Sequence, residues 1–286
     1  MHLVDVRCVN PKAERLHVFA VGDLHADSKL FREDRFKRWI AHIARYGSAA
    51  VAVCVGDYLN GQTPGHKHFD PDAIRHDYLL NLDGYVKHGL AHCERLLAPL
   101  GKAGVPTILV EGNHDRMMGA VGFTAMLADR IGAQYLGAGG FIRVRSESGA
   151  TKRRREATGE AMPRTTIIYA HHGSKGGGTP GPKVNAMHAL MGWADADIYI
   201  AGHVHDALTR VVPRYTAPRR FDSPEVVERD VGLYRAPSFL TRGMTGVSTY
   251  ADRKEYGTND EGLMWMERNV HLGTIQRHEM DKGVAA

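Results

Sequence analysis

Cysteine is scarce in this chain: Cys8, Cys54 and Cys93 are three in 286 residues, widely spaced and odd in number. That excludes a disulfide framework and a Cys-x-x-Cys zinc site, and leaves buried, inert thiols as the expectation. No apolar run approaches the roughly 18 residues that a membrane span needs. The first residues, Met1-His2-Leu3-Val4-Asp5, lack the charged and apolar blocks of a secretory signal. The expectation is a cytoplasmic protein without a membrane partner. Neither charge sign dominates: 37 Lys and Arg against 32 Asp and Glu leave a formal charge of +5, a modest lean toward a phosphate-bearing partner.

Histidine, by contrast, is plentiful at 17 residues, and several follow short apolar runs that read as buried strands. Arg15 to Val21 runs into Gly22-Asp23-Leu24-His25, and Ala49 to Val55 into Gly56-Asp57. Pro106 to Val110 runs into Glu111-Gly112-Asn113-His114-Asp115, Thr165 to Ala170 into His171-His172-Gly173, and Asp197 to Ala201 into Gly202-His203-Val204-His205. Between the first two strands, Phe36, Trp39, Ile40 and Ile43 predict a helix, with Asp27 or Ser28 as N-cap and Gly47 closing it. A second helix is expected from Asp70-Pro71, with its apolar stripe at Leu79, Leu82, Val86, Leu90, Cys93 and Leu97. Residues 120–131 and 184–191 also read as helical. Further strands are expected at Phe141 to Arg145, Leu208 to Tyr215, Val231 to Arg235 and Leu263 to Glu267. The chain is βαβ-like first and β-rich over 206–286, and no linker divides 1–286, so one domain is expected. Lys152 to Arg155 reads as a solvated loop, His66 and His68 as another, and His88 and His92 as an exposed helix face. The glycine-rich run 174–183 does not match a phosphate-cradling G-x-x-x-x-G-K-[ST] loop.

The polar turns carry the chemistry. In open α/β sheets ligands bind where strands end, and in extended backbone residues i and i+2 point the same way. Asp23/His25 and His203/His205 can therefore each present two side chains to one cavity. With Asp57, Asn113 and the 171–172 pair, the turns supply two carboxylates, an amide oxygen and several imidazoles. That donor set suits two divalent transition ions such as Mn, Fe, Zn, Co or Ni.

The ordered set D-x-H (Asp23, His25), G-D (Gly56, Asp57), G-N-H-D (Gly112 to Asp115), H-x-G (His171 to Gly173) and G-H-x-H (Gly202 to His205) resembles the calcineurin-like metallophosphoesterase superfamily. The motifs span 22–205. The resemblance implies an α/β fold, a four-layer αββα sandwich of two mixed β-sheets flanked by helices, with two divalent metal ions at the strand ends and manganese as the leading choice. It assigns Asp23, His25, Asp57 and His205 to one ion. Asn113, His203, Asp57 and a histidine of the 171–172 pair go to the other, with Asp57 bridging. Aligned as H-x-G the ligand is His171, the preferred reading; aligned as H-G it is His172. His114 becomes the catalytic histidine near the leaving group and Asp115 its partner. Arg116, His172 and Lys175 are candidates for substrate binding.

Two such ions polarise a phosphoryl group and bring the pKa of a bridging water toward neutrality, and His114 can assist departure of the alkoxide. The expected activity is hydrolysis of a phosphate ester, by a phosphodiesterase or nuclease ahead of a phosphomonoesterase, with nucleotides and nucleic acid among the candidate substrates. A protein serine/threonine phosphatase is the alternative, weakened because Gly56-Asp57-Tyr58-Leu59-Asn60-Gly61 lacks that group's arginine-bearing G-D-x-V-D-R-G. A catalytically silent interaction module on the same fold is the alternative of another class.

Overall fold

The computed structural model describes residues 2–10, 15–66, 69–118, 122–148, 164–173, 180–216, 226–241, 263–270 and 272–280. In chain order the first elements are β1 (His2–Asn10), β2 (Arg15–Val21), α1 (Glu33–Ala44), β3 (Ala50–Cys54), α2 (His76–Leu79), α3 (Tyr85–Lys102), β4 (Thr107–Leu109), α4 (Asn113–Met117) and α5 (Phe123–Ile131). They are followed by β5 (Gln134–Tyr135), β6 (Gly139–Ser148), β7 (Arg164–His171), α6 (Pro180–Leu190), β8 (Ile198–Ala201), β9 (Leu208–Thr216), β10 (Val227–Arg235), β11 (Met264–Asn269) and β12 (Ile275–Glu279). The strands form two six-stranded mixed sheets, ordered β1-β6-β7-β8-β10-β9 and β12-β11-β2-β3-β4-β5. The β-rich C-terminal stretch is divided between them, two strands to each.

Side chains alternating across a strand decide the layers. Val18 and Ala20 of β2, Val51 and Val53 of β3, and Ile108 of β4 meet Ile142, Val144, Ile168 and Ile200 between the sheets. The opposite faces, Phe19, Val21, Ala52 and Cys54, pack on Phe36, Trp39, Leu90, Leu97 and Leu127 of α1, α3 and α5. Beyond the other sheet, Tyr169, Tyr199 and Leu233 pack with Met187 of α6. The result is the four-layer αββα sandwich. All five residues of β3 are buried, which is why this segment reads as a continuous apolar run rather than an alternating one. Each large inner side chain contributes about 1.5–3 kcal/mol by leaving water.

Three local expectations are corrected. α1 starts at Glu33 with no side-chain cap, because Asp27 and Ser28 are engaged elsewhere: Asp27 Oδ1 accepts the Asn60 N–H at 2.7 Å, and Ser28 bridges Ile74. Asp70-Pro71 opens a turn instead of a helix. Asp70 accepts the Asp72 N–H through Oδ1 and the Ala73 N–H through its carbonyl, so the apolar stripe is split among α2, a single 3-10 turn and α3. His92 is buried against the Tyr78 hydroxyl at 2.9 Å, not on an exposed face.

Candidate metal centre

Strand pairing does not stop where the strands end, and this brings the polar turns together. Past β2 and β3 the backbone continues in register, with Asp23 N–H donating to Gly56 O at 3.1 Å and His25 N–H to Asp57 O at 3.0 Å. In the other sheet Gly202 N–H donates to His172 O at 2.8 Å. The D-x-H, G-D, H-G and G-H-x-H turns therefore share one rim.

Two donor groups result. Asp23, His25 and His205 form the first and Asp57, His172 and His203 the second, the donor atoms within each lying within 4.8 Å of one another. Among the described residues, five non-glycine residues have left-handed backbone: Asp23, His25, Asp57, His203 and His205, with φ between 46° and 73°. Such conformations cost on the order of 1–3 kcal/mol each in general, somewhat less for Asp and His, which tolerate this region better than most residues. Here all five fall on the donor turns.

Two glycines permit the approach of the G-D and G-N-H-D turns. Gly56 has φ +91°, and a Cβ there would lie 2.4 Å from Gly112 N. A Cβ on Gly112 would lie 2.2 Å from both Asp57 N and Asp57 Oδ1. Asp57 is held between them, its Oδ1 accepting His114 N–H at 2.9 Å.

Of the 171–172 pair, it is His172 that the structure brings into the second donor group. Its Nδ1–H donates to Val55 O at 2.5 Å, and Nε2 lies 2.9 Å from Asn113 Oδ1 and 3.2 Å from Asp57 Oδ2. His171, the preferred ligand of the H-x-G alignment, is not brought into either group; its Nδ1 accepts the Gly173 N–H at 2.8 Å. The cause is the strand's alternation. His171 is the last residue of β7, paired with Gly139 and Ala201, so its successor turns to the opposite side, toward the rim. Asp115 is the second correction. It does not pair with His114, for as the third residue of α4 its carboxylate turns back onto backbone, accepting Gly112 N–H at 2.7 Å, Asp57 N–H at 3.0 Å and Tyr58 N–H at 3.1 Å. His114 Nδ1 instead bonds Asn60 O at 2.8 Å, and its ring packs edge-on against His25.

Arg116 lies exposed beside the rim, its Nε donating to Glu111 at 3.1 Å. Lys175, the basic run 152–155 and His68 lie outside the described residues. Two buried groups near the rim were given no part in the site by the sequence, where Asp27 read only as a candidate N-cap. Asp27, fully buried, sits two residues beyond His25, and the i+2 spacing was its only signal. Arg235, at the end of β10, is buried with Nη2 donating to Lys183 O at 2.9 Å, and nothing in its local sequence marks it.

The electrostatics are those of carboxylates and imidazoles withdrawn from water. Burial, together with the Asp57 charge, pushes the Asp23 carboxyl above the usual range. Burial works the same way on Asp57, but the hydrogen bond and charge of His172 prevail and hold it well below. Burial lowers His172 in turn, and its bonded Asp57, with Asp23 and the Val55 carbonyl, lifts it to about 9. His25 and His203 are lowered, chiefly by burial, and so favour the neutral, ligand-competent form.

The donor spacing fits a metal ion. Ligand atoms at bonds of about 2.1 Å lie roughly 3.0 Å apart at right angles and about 3.4 Å apart at the tetrahedral angle. Here His25 Nε2 and His205 Nε2 are 3.3 Å apart, His203 Nδ1 and His172 Nε2 3.2 Å, and His203 Nδ1 and Asn113 Oδ1 2.9 Å. The model of the calcineurin-like phosphoesterase family matches residues 16–207, which contain all of these turns. The chain belongs to that family.

No curated protein matches the chain. Among solved structures, this calcineurin-like phosphoesterase is similar to a double mutant of Vps29 from Entamoeba histolytica, at 13% identity and TM-score 0.37, over 93% of this chain and 99% of that one. It is also similar to a metallophosphoesterase from Sphaerobacter thermophilus, at 12% identity and TM-score 0.32, over 93% and 88%. The family assignment stands on the matched residues and not on these likenesses. No helix of the described residues is long and apolar enough to cross a membrane.

Proposed function

We propose that the chain is a metal-dependent phosphodiesterase, with nucleotides or nucleic acid as its substrate class and manganese as its working metal. The observation that carries the reading is the convergence of two three-residue donor groups beside a histidine whose Nδ1 is already engaged. In this reading Asp23, His25, His205 and Asp57 hold one ion, and Asp57, Asn113, His172 and His203 the other. Two divalent ions there supply Lewis-acid polarisation of the phosphoryl group and a water acidified toward neutral pH.

The chain's own residues supply the rest. Asn60 O accepts from Nδ1, which leaves His114 Nε2 to carry the proton that the departing alkoxide takes up. Asp115 holds the Gly112 and Asp57 turns in place and is a positioning residue. Arg116 is offset by Glu111, so the described rim offers modest positive charge, which suits a singly charged diester better than a dianionic monoester. Three free, buried cysteines accord with a reducing, cytoplasmic setting.

The test compares Mn²⁺-loaded protein on bis(p-nitrophenyl) phosphate, p-nitrophenyl phosphate and a dinucleotide. The diester is expected to be favoured by 10-fold or more in kcat/KM, as an order-of-magnitude expectation. His114→Ala should lose about 10²-fold on the dinucleotide, whose leaving group needs a proton. A preference for the monoester overturns the diesterase reading; no hydrolysis of any substrate by metal-bound protein overturns the enzyme reading and favours an interaction module.

A further inference from the structure

The His114 ring makes its hydrogen bond not to a carboxylate but to a backbone carbonyl, and that carbonyl sits on a turn clamped from the protein interior. Asn60 O accepts from His114 Nδ1 at 2.8 Å. The N–H of Asn60 donates to Asp27 Oδ1 at 2.7 Å, and Asp27 Oδ2 accepts the Tyr85 hydroxyl. Asp27 is fully buried and Tyr85 is 2% exposed. On its other side the turn is pressed against α4: Gly61 has φ +66°, and a Cβ there would lie 2.8 Å from Met118 and 3.1 Å from His114 O.

We propose that Asp27 and Tyr85 are positioning residues for His114, acting through the Asn60-Gly61 turn; the proposal rests on the phosphodiesterase reading. A carbonyl can only accept, so His114 Nδ1 must carry hydrogen, and the neutral ring is held in the one tautomer whose Nε2 is free to take and give the catalytic proton. The direction of that carbonyl is set by the peptide units around it. Asp27 holds the N–H of the residue that supplies the carbonyl, and Tyr85 holds the other oxygen of Asp27. A buried carboxylate is costly unless its oxygens are satisfied, and here both oxygens are committed to this clamp. The turn beneath the catalytic histidine is thereby anchored to α3, which begins at Tyr85, and through α3 to the helical layer.

Displacing a proton donor slightly weakens only a step that needs the proton, which separates this role from general support of the fold. Tyr85→Phe removes one hydroxyl and keeps the ring. Turnover of the dinucleotide should fall about 10-fold with KM within about twofold, and turnover of bis(p-nitrophenyl) phosphate, whose leaving group needs little protonation, should stay within about twofold. Asp27→Asn should show the same split, and the double variant should be little worse than the poorer single one, as for members of one chain of contacts. Independently of turnover, ¹⁵N NMR of metal-free protein should report a single Nδ1–H tautomer for His114 in the wild type and a mixture in both variants. Equal losses on both substrates, or unchanged His114 nitrogen shifts, overturn the proposal. If the loaded wild type cleaves neither diester, the phosphodiesterase reading fails while the NMR comparison still judges the clamp. Should Tyr85→Phe not fold, Asp27→Asn carries both tests.

Discussion

The group of Asp23, His25 and His205 and the group of Asp57, His172 and His203 lie side by side at one rim, yet they are built differently. In the first, all three residues are left-handed, and His25 Nδ1 is buried without a hydrogen-bond partner among the described residues. In the second, His172 has ordinary backbone and its ring is fixed by Val55 O, Asp57 is fixed by the His114 N–H, and the Asn113 amide adds an oxygen. Their charge differs as well. In the second, the bonded Asp57 raises His172 against its burial, whereas in the first burial lowers His25 and raises Asp23. The difference is one of degree: the second group is left-handed at Asp57 and His203 and braced through His172 and Asp57, while the first is left-handed at all three residues and braced at Asp23 by the His203 N–H.

The largest effect should come from the second group, because Asp57 stands between both. Asp57→Asn and His172→Ala are each expected to lower kcat/KM by roughly 10²–10³-fold, while His171→Ala stays within about threefold. Steady-state kinetics on a diester checks this, and a heavy loss at His171 would break the assignment of the pair. The next contrast is in pH. A metal ion must displace the His172 proton, and His172 is raised to about 9, so affinity at the second group should tighten as pH rises from 6 toward 9. In the first group His25 is lowered but the Asp23 carboxyl is raised to about 7, so its affinity should rise only to about neutral pH and then level off, while the second keeps tightening. Calorimetric titration with Zn²⁺ in buffers of different ionisation enthalpy measures the proton released on binding.

How much of this was legible before the structure depends on how local the signal was. The turns at Asp23, Asp57, Asn113 and His203 announced themselves because each follows an apolar run and pairs polar types at short spacing. The choice between His171 and His172 was not legible, since it depends on where β7 stops and which face its last residue takes, a one-residue question of register. Asp115 looked like the partner of His114 because they are adjacent in sequence, but adjacent residues on a helix do not face one another. Asn60 O was invisible because a backbone carbonyl has no residue code. β1 and β12 carry exposed or mixed faces at the sheet edges, with little periodic signal to read.

Two smaller effects sharpen the contrast between bracing and strain. Gly112→Ala places a Cβ 2.2 Å from Asp57 backbone and should destabilise the chain by about 1–3 kcal/mol, read as a lower Tm. His205→Gly removes a left-handed side chain that is 30% exposed, and metal-free protein should gain up to about 1 kcal/mol while losing an ion at the first group. A loss of stability in that variant would mean that the turn is not strained.

The central claim is that these two groups hold two metal ions, and metal stoichiometry addresses it most directly. Protein stripped with chelator, reloaded with Mn²⁺ and desalted should retain two ions per chain by elemental analysis, His172→Ala about one, and His171→Ala two. One ion or none in the wild type, or loss of an ion in His171→Ala but not in His172→Ala, would contradict the account.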